Sequence, residues 1–199
     1  GGNGTTVARM QLADDGASVD NVMVLFRQQP TYDGDLHFGS RIVPNPDGTL
    51  FVTLGERSDV PIRDSAQEMS NHLGKLVRIG RTGDTPADNP FMGQDGIQPE
   101  IYASGLRNVQ AATLDAEDRL WTVEHGPQGG DEVNRPEAGK NYGWPVITYG
   151  EDYSGAPINE GITAKDGMEQ PIYYWDPVIA PSGRIFMTVR SLPIGKAIC

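Results

Sequence analysis

Three short stretches of this 199-residue chain carry residue types that could do chemistry. In GDLHFGSRIV, His37 sits close to glycines just ahead of a β-rich run, with Arg41 four residues on. An imidazole that titrates near neutrality is suited to taking a proton from a hydroxyl; a surface or capping role is the alternative for a lone histidine. Arg41 reads as an anion anchor or as an exposed strand residue. In SGLRNVQ, Arg107 could grip a carboxylate through paired N–H donors and Asn108 could orient an amide or carbonyl, although a polar turn needs neither. The third stretch, LWTVEHGPQGGDEVN, offers His125, the main-chain carbonyls of Gly126 and Pro127, then Asp131 and Glu132. Mixed oxygen donors suit Ca²⁺ and do not suit zinc, which wants cysteines or clustered histidines. The spacing is not that of an EF-hand, so a calcium loop and a plain acidic turn both stand.

Downstream, GKNYGWPVITYGEDYSG (139–155) is dense in glycine, tyrosine and tryptophan. Aromatics in irregular chain line sugar or cofactor faces, or simply pack a core. The three histidines fall in three different segments, so no metal triad is evident. His72 and the cluster Asp64, Gln67 and Glu68 read as solvated loop surface.

The elements that must position these residues are short strands. Runs at 5–12, 21–27, 40–43, 49–54, 74–79, 101–103, 111–114 and 120–123 are rich in apolar and β-branched residues. Turn clusters such as Asn45-Pro46-Asp47-Gly48 separate them, and only 65–73 has helical character. With 25 glycines, 15 prolines and 37% hydrophobic residues, the composition suits a loop-rich all-β protein. A repeat underlies the pattern: IVPNPDGTLFVTLGE (42–56) and ATLDAEDRLWTVEHG (112–126) share an apolar strand, an acidic turn and a Leu-aromatic strand. Their Leu-aromatic pairs lie 70 residues apart, more than the roughly 40–50 of a simple propeller blade. Long polar insertions at 57–72 and 80–99 account for the excess, and a β-propeller is the predicted architecture. Strand-end loops of successive blades then converge on one axis.

A net charge of −11 with no basic stripe argues against nucleic acid as partner. No run of about 18 apolar residues is present to insert in a membrane. The lone Cys199 can form no internal disulfide.

Together, the ordered motifs HFGSR, LFVTLGE, AQEMSNHLGKLVRI, DNPF, GLRN, EHGPQGGDE, KNYGWP and APSG resemble the glucose/sorbosone dehydrogenase family over about residues 1–183. The resemblance implies an incomplete six-bladed β-propeller from a periplasmic or secreted aldose dehydrogenase that uses pyrroloquinoline quinone (PQQ) and Ca²⁺. Such an enzyme would oxidise the anomeric hydroxyl of an aldose sugar to a lactone and pass electrons to an external acceptor. His37 would be the catalytic base. Arg41, Arg107, Asn108, His125 and Tyr153 would face cofactor or substrate. Gly126 and Pro127 would offer carbonyls to the cofactor-bound Ca²⁺, and Glu132 and Tyr142 would hold a second, structural Ca²⁺. Basic residues that the family turns on the PQQ carboxylates are expected in a further C-terminal part, and a chain without it should bind PQQ weakly.

Two other readings remain at this stage. A binding-only propeller of the same superfamily would have no reason to keep both His37 and the Gly126–Pro127 pair. A calcium-dependent lactonase-type propeller would need side-chain ligands from several blades. After APSG the family continues Phe-Tyr-Asp-Gly, whereas this chain reads RIFMTVRSLPIGKAIC. Restoring one T ahead of the Met codon recovers the family motif. Residues 1–185 are therefore expected to be the partial propeller, and 186–199 a frame-shifted tail. Oligomeric state is not legible.

Overall fold

A computed structural model describes residues 1–60 and 62–186, so nearly all of the expected frame-shifted tail lies outside the described residues. Ten strands form one two-stranded and two four-stranded sheets, each an antiparallel meander. Strands β1 (Thr6–Leu12) and β2 (Val19–Arg27) pair alone. The second sheet runs β3 (Gly39–Pro44), β4 (Thr49–Leu54), β5 (Leu76–Gly80) and β6 (Ile101–Ala103). The third runs β7 (Val109–Leu114), β8 (Leu120–Glu124), β9 (Asp131–Asn134) and β10 (Tyr173–Trp175). These are successive blades of an incomplete β-propeller.

The sequence repeat is a structural repeat in register. Gly39↔Leu54, Val43↔Phe51 and Pro44↔Leu50 recur 70 residues later as Val109↔Glu124, Thr113↔Trp121 and Leu114↔Leu120. Both hairpins carry an irregularity beside the first of these pairs. The turns match as well: Asn45 N–H bonds Thr49 O at 2.9 Å, and Asp115 N–H bonds Arg119 O at 3.0 Å. Gly48 supplies the left-handed turn residue (φ 91°) in one, and Asp118 (φ 58°) in the other.

The two-residue period of a strand sorts the core. Leu50, Val52 and Leu54 of β4, with Val77 and Ile79 of β5, face Val7, Leu25 and Phe26 of the first sheet. Phe51 and Leu76 face the opposite way, meeting Val109, Leu120 and Tyr142 of the third blade. Each such buried side chain contributes roughly 1.5–3 kcal/mol, so the middle blade is held from both sides. On the flanks, Leu12, Val22, Met23, Ile172 and Tyr173 stay exposed.

Two expectations change, and two strands were not foreseen. The helix predicted over 65–73 is a 3-10 turn, Ile62–Gln67. The buried Lys75 amine donates to the carbonyls of Ser65 (2.9 Å), Ala66 (2.9 Å) and Leu73 (2.7 Å), the first two being acceptors that an α-helix would need for itself. His72 is 3% exposed rather than solvated. Its Nδ1 accepts the Gln29 N–H at 3.0 Å, and its ring meets Phe26 edge-on. Strands β9 and β10 had no clear signal.

Candidate functional site

Because β3 and β7 start where β4 and β8 end, four chain segments meet at one end of two adjacent blades. His37 precedes β3 and Glu56 follows β4; Arg107 and Asn108 precede β7, and His125 to Pro127 follow β8. The 70-residue register makes His37 and Arg107 equivalent stations of consecutive blades. Main-chain bonds tie the stations together. Glu56 N–H bonds Arg107 O at 3.1 Å and His125 N–H bonds Asn108 O at 3.1 Å. Gly39 N–H also reaches Asn108 Oδ1 at 3.3 Å.

His37 adopts a left-handed backbone (φ 49°), which costs a non-glycine residue about 1–3 kcal/mol and persists only where surroundings hold it. Gly55 makes the crossing possible: a Cβ there would stand 1.9 Å from the His37 carbonyl oxygen. The reward is a bond from His37 Nδ1 to Glu56 Oε1 at 2.7 Å, with the Glu56 side chain fully buried and the imidazole 12% exposed. A carboxylate oxygen only accepts, which assigns the proton to Nδ1 and leaves Nε2 as an acceptor with no partner among the described residues. The unused oxygen of Glu56 takes the Ser58 N–H. Glu56 was the partner that sequence reading missed. The signal was present in LFVTLGE, where an acid ends an otherwise apolar strand.

Arg107 is 5% exposed and is committed to structure. Its Nη1 donates to the carbonyls of His125 (2.8 Å) and Gly126 (2.6 Å), and its guanidinium lies 5.2 Å from the Trp144 ring centroid. Its Nε is buried without a partner among the described residues. Asn108 Oδ1 also accepts from Gln110 Nε2 at 2.8 Å, which leaves its own amide donors free of bonds among the described residues. Tyr153 is 72% exposed. It shares a pocket of about 240 Å³ with Arg107, Pro127 and Trp144, so the structure brings these together. Arg41 is elsewhere employed: its guanidinium bonds the carbonyls of Gln110 and Ser182, tying β3 to β7 and to the APSG segment. His125 Nε2 meets the Pro181 carbonyl at 2.9 Å, making it part of the wall.

The acidic loop divides by function. Asp131 is 1% exposed and serves as a strut. Its Oδ1 accepts Gly126 N–H at 2.8 Å, and its Oδ2 accepts Ile179 N–H (2.8 Å) and Ala180 N–H (2.7 Å). Its three bonds all go to main-chain N–H groups, so it holds the loop and the 179–180 segment in place. Glu132 is different. It shares a cavity of about 10 Å³, room for about one water-sized atom, with Glu124, Gly126, Pro127 and Tyr142.

Burial pushes the Glu124 carboxyl up towards neutrality, and burial together with the Glu124 charge does the same to Glu132. Asn134 Nδ2 bridges the two at 3.1 and 3.3 Å. Two crowded carboxyls beside main-chain carbonyls are a donor set that fits a hard cation. Among the described residues no group of three or more acid, histidine or cysteine side chains is arranged around a metal, so such a set must lean on carbonyls. Tyr142 can offer only its carbonyl, because its hydroxyl donates to Arg135 O at 2.9 Å and accepts from Glu137 N–H at 3.1 Å.

Comparison with known proteins shows the family and the fold. The chain is 42% identical over 194 residues to the aldose sugar dehydrogenase YliI of Escherichia coli (strain K12), covering 96% of this chain and 51% of that protein. The crystal structure of the soluble aldose sugar dehydrogenase from Escherichia coli in the apo-form superposes with a TM-score of 0.88 at 43% identity, over 92% of this chain and 52% of that one. The PQQ-bound form of the aldose sugar dehydrogenase from Streptomyces coelicolor gives a TM-score of 0.69 at 29% identity, over 85% and 45%. The chain thus spans about half the length of these relatives. Residues 1–194 match the sequence pattern of the Glucose / Sorbosone dehydrogenase family, and the chain belongs to that family.

Proposed function

We propose that the chain carries the catalytic base and one wall of the cofactor site of a PQQ-dependent aldose dehydrogenase. The observation that carries this reading is the His37–Glu56 pair, 2.7 Å apart, held against the Arg107–Asn108 and Gly126–Pro127 segments. When bound, PQQ supplies the hydride acceptor for the anomeric C–H and a Ca²⁺ beside it supplies Lewis acidity. The chain's own residues do the rest. His37 Nε2 takes the proton of the anomeric hydroxyl as the lactone forms, and Glu56 stabilises the imidazolium through Nδ1. Asn108 offers amide donors to the cofactor's polar edge. Gly126 and Pro127 would hold the cofactor's cation through their carbonyls, although Arg107 already donates to Gly126 O. A carbonyl oxygen has a second lone pair for that purpose. Glu132, with the Tyr142 carbonyl, would hold a second Ca²⁺. Tyr153 flanks the pocket where the sugar would enter.

On this reading the protein works in the periplasm or outside the cell and hands its electrons to an external acceptor. The test is dye-coupled oxidation of several aldoses by the full-length protein with PQQ and Ca²⁺, beside His37→Ala. A loss of about 10²-fold or more in kcat is the expected size for a missing general base. Full retention of turnover by the variant would remove His37 from the role.

A further inference from the structure

We propose that Arg57 is the positioning residue of the base, a guanidinium clamp that sets the ring of His37 and thereby the nitrogen it presents. The inference rests on the reading of His37 given above. Arg57 follows Glu56 directly in the chain and is 1% exposed, yet no carboxylate pairs with it among the described residues. Its donors go instead to the loop that carries His37. Nε donates to the Leu36 carbonyl at 2.8 Å, Nη2 donates to the Gly34 carbonyl, and the guanidinium carbon lies over the Phe38 ring, 3.9 Å from its centroid. Both chain neighbours of His37 are thus gripped by one side chain.

The far side of the fork is anchored to a third segment. Nη1 donates to the Asn3 carbonyl at 3.1 Å and Nη2 to Asn3 Oδ1 at 2.7 Å, just ahead of β1. Such an arrangement requires a planar group with donors on both edges, which Lys cannot supply.

Backbone conformation shows that the clamp is built and not incidental. Arg57 and Ser58 both have φ of 75°, and His37 has φ of 49°. Three non-glycine residues in the left-handed region therefore surround one hydrogen bond, the 2.7 Å contact of His37 Nδ1 with Glu56. A residue in that region stays there only when its surroundings over-determine it. At His37 the surroundings are the Arg57 fork on one side and Gly55 on the other. Ser58 N–H, in the next peptide, holds the second oxygen of Glu56, so the chain turn at Arg57 orients both members of the pair.

The test reads the imidazole directly, needs neither cofactor nor sugar, and uses the whole chain. Long-range ¹H–¹⁵N NMR of labelled protein should show His37 in a single tautomer, protonated at Nδ1. Arg57→Ala should lose that single form while the sheet amides keep their shifts, and added guanidinium, but not methylammonium, should restore it. Arg57→Lys, which keeps charge and stem, should fail to hold the tautomer. Retention of the wild-type signature in Arg57→Lys overturns the proposal, and so does rescue of Arg57→Ala by methylammonium. Should Arg57→Ala unfold, the Lys variant decides alone; if that unfolds too, Arg57 supports the fold at large and the clamp is wrong. A separate failure, normal His37 signals with full turnover in His37→Ala, would sink the functional reading and leave the clamp intact.

Discussion

Replacing Glu132 by glutamine should flatten the pH dependence of stability in protein stripped of metal. In the folded chain the Glu124 and Glu132 carboxyls are pushed up to about 7 and about 8, both by burial first, with the Glu124 charge adding to the rise at Glu132. In the unfolded chain both ionise near the ordinary glutamate value of about 4.3. A folded carboxyl with a raised pKa keeps a proton that the unfolded chain has lost, so stability falls as pH rises between the two values. The pair shares Asn134 and a single cavity, so we count on the order of one extra proton between about pH 5 and 8 and not two. That gives a slope of about 1.4 kcal/mol per pH unit, or roughly 3–6 °C of melting temperature for a chain of this size. Calorimetry in chelator from pH 5 to 8.5 measures it. Glu132→Gln should lower the slope by most of that amount, and millimolar Ca²⁺ should raise the wild-type melting temperature more at pH 8 than at pH 5.5, since a cation needs the carboxylates bare. Parallel slopes for wild type and variant, or a Ca²⁺ effect that grows as pH falls, would refute the shared site.

Two further predictions concern the scaffold of the same site. Asp131→Asn cannot serve Gly126, Ile179 and Ala180 with one remaining oxygen, so either the buried Gly126 N–H or the part-buried pair at Ile179 and Ala180 is left facing an amide donor. A loss of about 3 kcal/mol is expected in denaturant unfolding, with the amides of Ile179 and Ala180 or that of Gly126 exchanging faster; unchanged exchange at all three would show that the strut is not one. Gly55→Ala would bring a methyl within 1.9 Å of the His37 carbonyl oxygen and 2.4 Å of its carbon. Backbone cannot yield cheaply, so about 2 kcal/mol or more should be lost and the Nδ1–H resonance of His37 should shift; a variant as stable as wild type, with that resonance in place, contradicts the crossing.

What the sequence made legible, and what it hid, follows from how each residue is satisfied. The hairpins β3–β4 and β7–β8 were readable because apolar alternation and an acidic left-handed turn recur at one offset, and the register honours both. Strand β9 was not, because Asp131-Glu132-Val133-Asn134 is mostly polar and lies inward only by spending its side chains on specific partners. Burial of polar groups leaves no periodic trace, since what stabilises them is a partner distant in sequence. Strand β10 is three aromatics whose register with β9 is set by the fold. Lys75 hid in the same way, and by drawing off carbonyls it turned an expected helix into a 3-10 turn.

The candidate site obeys the same rule. His37, Asn108, Gly126 and Pro127 were candidates by residue type and gained definite roles only through motif resemblance, and the structure draws their segments together through main-chain bonds between two blades. Glu56 closes the LFVTLGE motif and Arg57 lies just outside it, and both gain meaning from the left-handed turns that bring them to His37 and its loop. A base at a strand end must be rigid without regular secondary structure to hold it. Here the rigidity comes from a glycine that admits the crossing, a carboxylate that fixes the ring and a guanidinium that fixes the loop. Each is a single residue within the span Gly55-Glu56-Arg57, so the end of one strand supplies the whole support of the base in the next loop over. A change at Glu56 or Arg57 should therefore disturb His37 before it disturbs the blade, whereas Gly55, where a side chain meets backbone, couples the base to the stability of the fold.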